Sequence, residues 1–289
     1  MKSLKKSTIF IIGLGQIGGS IGLGLVGRRL VDKVIGHDIS SNVMHAAKKL
    51  RAVDSTVNSI AIGLKKADII ILAVPIRKIL KMLPNIYRNA EKHQIILDVG
   101  GSKSGMLKVI SKIKSGASFI GGHPITGSEK EGIPAAKKRL FYNTSFILTP
   151  TRDAKPENVN KIKTLVRKLG AQPIIMTASE HDRLIALTSH LPYALSLALM
   201  NIAIKEMQKS NKFRKLIGGS FGSATRVAMS SPMLTLDMFK TNQKEITESI
   251  DKMINQLLAL KKTINNENET HLKSIIYKAG KKRRELSDG

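Results

Sequence analysis

The chain contains no cysteine and no tryptophan, and only 21 of its 289 residues are acidic. Without cysteine there is no disulfide framework, no thiolate nucleophile and no cysteine-based zinc site, and the composition suits a reducing compartment, so a cytoplasmic location is expected. Without tryptophan, and with aromatics at 4%, stacking platforms for nucleobases are scarce. The shortage of acid against 48 Lys and Arg leaves a formal charge of +27, a value that ordinarily raises nucleic acid or an anionic surface as a partner. The cations are spread singly or in pairs, and only residues 278–284 make a compact basic run. A dispersed solvating surface is therefore the expectation, with no specific nucleic-acid partner. Long uncharged stretches are scarce too. Residues 9–27 carry no charge and follow Lys2, Lys5 and Lys6, the outline of a signal peptide or membrane span. Seven glycines, Gln16 and Ser20 interrupt that run, so with no other span of comparable length a soluble protein is expected.

What is present is a 289-residue chain with 42% apolar residues, long enough for two domains with proper cores. Residues 8–12 form a β-branched and aromatic run, followed by glycines, a helix to about Leu30, and a second strand over residues 34–36 that leads into Asp38. The alternation repeats: strands at 68–74 (DIIILAV) and 94–99 (QIILDV), helices at 76–89 and 103–114. It predicts an α/β fold, a doubly wound parallel sheet with helices on both faces. Residues 118–120, 145–148 and 173–176 extend the sheet. Beyond Thr177 the strand signals cease, and a helix is predicted over 178–208, with Glu180 and Asp182 in its acidic first turn. Pro232 opens another long helix, 233–262, and the sequence NNENE at 265–269 breaks it before a basic tail. The expected division is a Rossmann domain over 1–176 and an all-helical domain over 177–289.

Gly13, Gly15 and Gly18 make a G-x-G-x-x-G between a predicted strand and helix, where the turn lets a pyrophosphate approach the helix N-terminus. Asp38 stands twenty residues after Gly18 at the end of the second strand, where a carboxylate bonds the adenosine ribose hydroxyls and repels a 2′-phosphate. The pattern points to NAD rather than NADP, although His37 and the general positive charge act against strict discrimination. Of the seven histidines, His45, His93 and His271 sit in polar surroundings and are expected to be solvated. His123 lies in GGHPITG, read as a rigid loop just after a strand, on the edge where doubly wound sheets bind ligands. His190, in TSHLPY, is polar within an apolar helix and must find a buried partner or face a cavity. Arg226, taken alone, reads as an ordinary surface arginine. No metal is expected, because no H-E-x-x-H and no His and carboxylate cluster stands at ligand spacing.

In this order the pieces resemble the prephenate and arogenate dehydrogenase family: GLGQIGGS at 13–20, Asp38, DIIILAVP at 68–75, residues 98–103, GGHPITGSEKEG at 121–132, Glu180-His181-Asp182, Ser189-His190-Leu191-Pro192, residues 225–228, and Leu236-Asp237-Met238-Phe239 with Asn242. The resemblance implies NAD-dependent oxidative decarboxylation of a cyclohexadienol to a phenol, in tyrosine synthesis. It implies that Gln16, Ile17, Val74 and Pro75 join the three glycines and Asp38 in holding NAD. It makes His123 the residue that takes the hydroxyl proton, with His190, Arg226 and Glu129 on the substrate. It also implies a homodimer, since the apolar helices after Thr177 exceed what so small a domain can bury. Prephenate is the leading substrate and arogenate the alternative; a nucleic-acid-binding protein that retains a dinucleotide fold is the reading from another class. Two departures stand out. The family commonly carries a serine directly after Asp-Val-Gly, where this chain has Gly101, so Ser102 is the expected substitute, unless Lys103 and a water take its place. Phe-Arg-Asp and a later Trp are replaced by Phe221-Gly222-Ser223 and Thr235.

Overall fold

The computed structural model describes residues 3–126 and 130–286, and the chain forms two compact units, Met1–Gln243 and Lys244–Gly289. The first unit is built on eight strands: β1 (Thr8–Ile12), β2 (Lys33–His37), β3 (Ser55–Thr56), β4 (Ile69–Leu72), β5 (Ile95–Asp98), β6 (Ser118–Pro124), β7 (Ser145–Pro150) and β8 (Gln172–Ile175). They are interleaved with α1 (Gln16–Val26), α2 (Ser41–Lys49), α3 (Ile60–Lys66), α4 (Ile76–Asn89), α5 (Ser104–Ile110) and α6 (Pro156–Leu169). The sheet order is β3-β2-β1-β4-β5-β6-β7-β8. All neighbours pair parallel except β6 and β7, which are antiparallel. The expected all-parallel sheet is thus corrected at one step, where the connection 125–144 returns the chain beside β6 in the opposite direction instead of crossing over.

The central strands β1, β4 and β5 are apolar except at Thr8 and Asp98, because both faces are covered. Ile9 and Ile11 of β1 point into one core with Ile21 and Leu25 of α1 and Leu165 of α6. Phe10 and Ile12 point into the other, with Ile79 and Leu83 of α4 and Met106 of α5. Each of these side chains is worth about 1.5–3 kcal/mol once removed from water, so the sheet is the rigid base on which the loops at its carboxyl end are held.

Past β8 the first unit continues as α7 (Ala178–Ile185), a π-turn over Ala186–His190, α8 (Leu191–Lys209), α9 (Gly219–Thr225) and α10 (Pro232–Thr241). The expected single helix over 233–262 is broken at Asn242, which leaves the helical conformation before α11 (Gln243–Asn265) begins. The second unit consists of the rest of α11 and of α12 (Glu269–Glu285), which carries the basic run to its end. The segment Ala178–Lys209 is long and apolar enough to cross a membrane by length and composition, with a mean hydropathy of 1.3 over its best window. That corrects the expectation that residues 9–27 alone raise the question. This segment also carries the buried polar groups His181, Asp182, His190 and Ser196, which suit a protein interior and not a lipid phase. Of its large apolar side chains, Leu187, Leu195, Ile202 and Ile204 are exposed on the isolated chain.

Candidate active site

The loop after β1 and the loop after β4 meet where the strand order reverses, the crevice in which doubly wound sheets take their ligands. Gly13 has φ +94° there, and a Cβ on it would stand 2.5 Å from the Ala73 carbonyl oxygen and 2.6 Å from the Val74 side chain. Gly18 is packed as tightly, its Cβ position 2.0 Å from the Gly13 carbonyl oxygen. Gly15 is different: nothing lies within 4 Å of its Cβ position, so the space over the first turn of α1 is open. Gln16 and Ile17 open that turn, and it carries no acidic residue, leaving the positive end of the helix dipole unneutralised. Asp38, one residue past β2, accepts hydrogen bonds from the Leu14 amide at 2.9 Å and the Ser40 amide at 3.0 Å. Val74 lies against Gly13 and Pro75 caps α4. A glycine turn with open space at a helix N-terminus, next to a fixed carboxylate, is the arrangement that the pyrophosphate and ribose of a dinucleotide require.

The second half of the site lies at the ends of β5 and β6. Asp98 and Lys103 form an ion pair with both side chains buried. The Lys103 ammonium also donates to the Gly122 carbonyl at 2.7 Å, and the carboxylate accepts from the Gly100 amide at 2.8 Å and the Gly122 amide at 3.3 Å. Burial pushes the Asp98 carboxyl up and the Lys103 amine down, each opposed by the partner's charge. Lys103 is therefore committed beneath β6 and does not stand in for the missing serine. Ser102 is buried. Among the described residues beyond its chain neighbours, the one heavy atom within 4 Å of a Cβ built on Gly101 is His123 Nε2, at 4.0 Å, so a side chain at 101 would face the imidazole.

His123 is not in a loop, as its glycines and proline suggested, but within β6, opposite Ile147 of β7. It is partly exposed, and its Nδ1 lies 2.9 Å from His181 Nε2. His181 Nδ1 in turn lies 2.7 Å from Asp182 Oδ1. Because an ionised carboxylate only accepts, His181 carries its proton on Nδ1, its Nε2 is an acceptor, and His123 must donate from Nδ1. His123 Nε2 is left with a lone pair directed away from His181. Burial, then the neighbouring His181, Lys103 and His190, hold the His123 pKa well below the usual histidine value, so the ring is neutral at neutral pH.

His190 ends the π-turn and is buried. Its expected buried partner is Asn242, whose amide nitrogen donates to His190 Nδ1 at 3.1 Å and to the Asp182 carbonyl at 2.8 Å. With Nδ1 accepting, neutral His190 presents an N–H at Nε2. Burial lowers its pKa to about 4 against the opposing charge of Asp182. Asp237 of α10 is paired with Arg77 at the start of α4, tying α10 to the rim of the crevice. Arg226 is exposed in a short 3-10 turn, and Ser230 just after that turn donates to the Tyr193 hydroxyl at 3.1 Å. Glu129 lies outside the described residues. His45, His93 and His271 are exposed as expected, and no metal-holding cluster occurs among the described residues.

Taken one by one, Asp98, His181 and Asn242 carried no role in the sequence, although the motifs of the resemblance include them. Asp182 was read only as part of the acidic first turn of a helix, and Lys103 only as a stand-in for the serine. The available signal was adjacency: His181-Asp182 puts a titratable ring beside a carboxylate at the start of a helix that must pack on the sheet.

Residues 23–175 match the family model described as prephenate dehydrogenase, nucleotide-binding domain, and residues 177–278 that described as prephenate dehydrogenase, dimerization domain. A prephenate dehydrogenase of Bacillus subtilis is 31% identical over 269 residues, 92% of this chain and 72% of the relative. The crystal structure of prephenate dehydrogenase from A. aeolicus in complex with hydroxyphenyl propionate and NAD+ superposes with a TM-score of 0.89 at 28% identity, covering 99% of this chain and 100% of that one. That of Synechocystis arogenate dehydrogenase gives 0.85 at 29% identity, covering 96% and 99%.

Proposed function

The chain belongs to the prephenate dehydrogenase family, and from that premise we propose that it converts prephenate to 4-hydroxyphenylpyruvate by NAD-dependent oxidative decarboxylation in the making of tyrosine. The observation that carries the reading to individual residues is His123: a neutral imidazole whose Nδ1 is tied to His181 and whose Nε2 keeps its lone pair. Such a group accepts the proton of the ring hydroxyl as the carbon bearing it is oxidised. Bound NAD supplies the hydride acceptor. Carbon dioxide leaves from the opposite ring carbon, and aromatisation drives the step, so the work of the protein is placement and proton removal.

The residues assigned to NAD are Gly13, Gly15, Gln16, Ile17, Gly18, Asp38, Val74 and Pro75. His190 offers its Nε2–H to a substrate oxygen, and Arg226 supplies the planar fork for a substrate carboxylate. Glu129 is assigned to the pocket entrance by resemblance alone. Ser102 remains the candidate for the family's serine, supported by its burial beside Lys103. Residues 1–176 then form the dinucleotide domain, and 177–289 the substrate and dimerisation domain of a cytoplasmic homodimer. The exposed apolar face of α8 and the match of this region to a dimerization model support the dimer.

The test follows formation of reduced nicotinamide by absorbance, with NAD plus prephenate and then NAD plus arogenate, for the wild type and His123→Asn. Turnover of prephenate that falls by about 10²–10⁴-fold in the variant, the usual worth of a general base, is expected. Turnover of arogenate alone reassigns the substrate, and no turnover of either with NAD still bound overturns the assignment.

A further inference from the structure

Behind His123, on the side away from its Nε2, stand two groups that the proposed reaction does not use. His181 is fully buried, and Asp182 is 1% exposed. The Asp182 carboxylate is saturated: Oδ1 accepts from the Lys103 amide at 2.8 Å and from His181, and Oδ2 accepts from the Ser104 amide at 2.8 Å. Burial alone would raise that carboxyl, and the bonds from His181, Ser104 and Lys103 more than offset it, so the net shift is downward and the group is anionic. An anion held by backbone amides against a buried ring is placed to stabilise a positive charge on that ring.

We propose that His181 and Asp182 form a proton relay behind His123, so that the proton taken at His123 Nε2 is answered by transfer of the His123 Nδ1 proton to His181 Nε2. The proposal rests on the reading of His123 as the base. The bookkeeping is simple: the substrate O–H bond breaks and an Nε2–H bond forms on His123; the His123 Nδ1–H bond breaks and an Nε2–H bond forms on His181. His123 ends neutral in the opposite tautomer, and His181 ends as an imidazolium whose Nδ1–H still points at Asp182. No electrons are exchanged within the relay.

Placement of the charge is the argument for two steps. A cation left on His123 faces the Lys103 ammonium at the start of α5, the rings of His181 and His190, and the already paired Asp98 of β5. A cation on His181 faces the Asp182 carboxylate at 2.7 Å in a buried setting, where opposite charges are weakly screened. His181 is thus a positioning residue that fixes the His123 tautomer and a temporary store for its proton.

The experiment compares wild type with His181→Gln, whose amide reaches the same place as the ring Nε2 but takes up no proton. NAD affinity and the thermal midpoint serve as controls for folding. The expected result is a prephenate KM within about twofold, a kcat lower by on the order of ten- to a hundredfold, and an acid limb of the kcat/KM profile moved down by about one pH unit. The limb moves because His123 alone, beside Lys103, is harder to protonate than the pair. An unmoved acid limb, or an unchanged kcat, overturns the relay. A wild type without turnover on prephenate or arogenate overturns instead the reading of the reaction. Should His181→Gln not fold, ¹⁵N NMR of the histidine-labelled wild type decides: the relay requires Nδ1–H and a bare Nε2 on His123 in the free enzyme, and the opposite tautomer refutes it.

Discussion

The neutrality of His190 makes the protein lose stability in acid by an amount that can be worked out. An unfolded histidine titrates near 6.5, whereas burial brings His190 to about 4. As the pH falls from 6.5 towards 4 the unfolded chain takes up a proton that the native state refuses, so the contribution is complete above about 6.5 and is lost on the way down. The linkage relation puts the loss from this one residue at about 2 kcal/mol at pH 5 relative to pH 7. His190→Asn is the diagnostic variant, because its side-chain oxygen reaches the place of Nδ1 and keeps the bond from Asn242 without titrating. Urea unfolding followed by far-ultraviolet circular dichroism at pH 7 and pH 5 should give a wild-type loss larger than the variant's by about 2 kcal/mol, whatever their absolute stabilities. His123, also neutral in the fold, adds the same acid loss to both proteins and cancels. Parallel losses in the two proteins would refute the argument and imply that His190 protonates in place.

Three further outcomes follow. Lys103→Met strands the buried Asp98 carboxylate and should cost about 3–5 kcal/mol, measurable as a fall in thermal midpoint of roughly 10 °C; a fall under about 2 °C would show the pair to be solvated. Asp38→Ser removes the carboxylate that repels a 2′-phosphate, so the ratio of kcat/KM for NAD over NADP should drop about tenfold or more, and an unchanged ratio sinks the ribose assignment. Gly101→Ser has room for its Cβ and brings a hydroxyl towards His123 Nε2; kcat should rise several-fold with the fold intact, and a kcat below wild type would show that the site works without that partner by design.

The legible parts of this molecule were those whose physics is local. Isoleucine-rich apolar runs at 69–72 and 95–97 report strands covered on both faces, and Gly13 and Gly18 report a turn that side chains would block. The illegible parts depended on partners far along the chain. His123 was read as a loop residue because glycine and proline flank it, yet pairing with β7 extends β6 through it. The antiparallel step could not be read, because strand direction is set by where the connection ends and not by strand composition. The break at Asn242 was invisible for a similar reason: its side-chain amide donates to acceptors 52 and 60 positions earlier, at His190 and Asp182.

The π-turn at Ala186–His190 gives the site a dependence on chain length as well as on residue type. Nine steps of a regular helix, at about 3.6 residues per turn, would put His181 and His190 on roughly opposite faces. The wider turn winds each of its five residues less, and brings the second imidazole about a quarter-turn back towards the first. Removing a single residue and closing the turn would leave eight regular steps, which bring His190 to within about ten degrees of the same face. The site thus depends on length and pitch together: nine residues wound regularly, or eight with the wide turn kept, would swing His190 away from Asn242 with every functional side chain still present. In a lineage carrying this enzyme, a sequence that lacks one position here keeps the site if its helix is regular, and one of full length loses it if the turn closes.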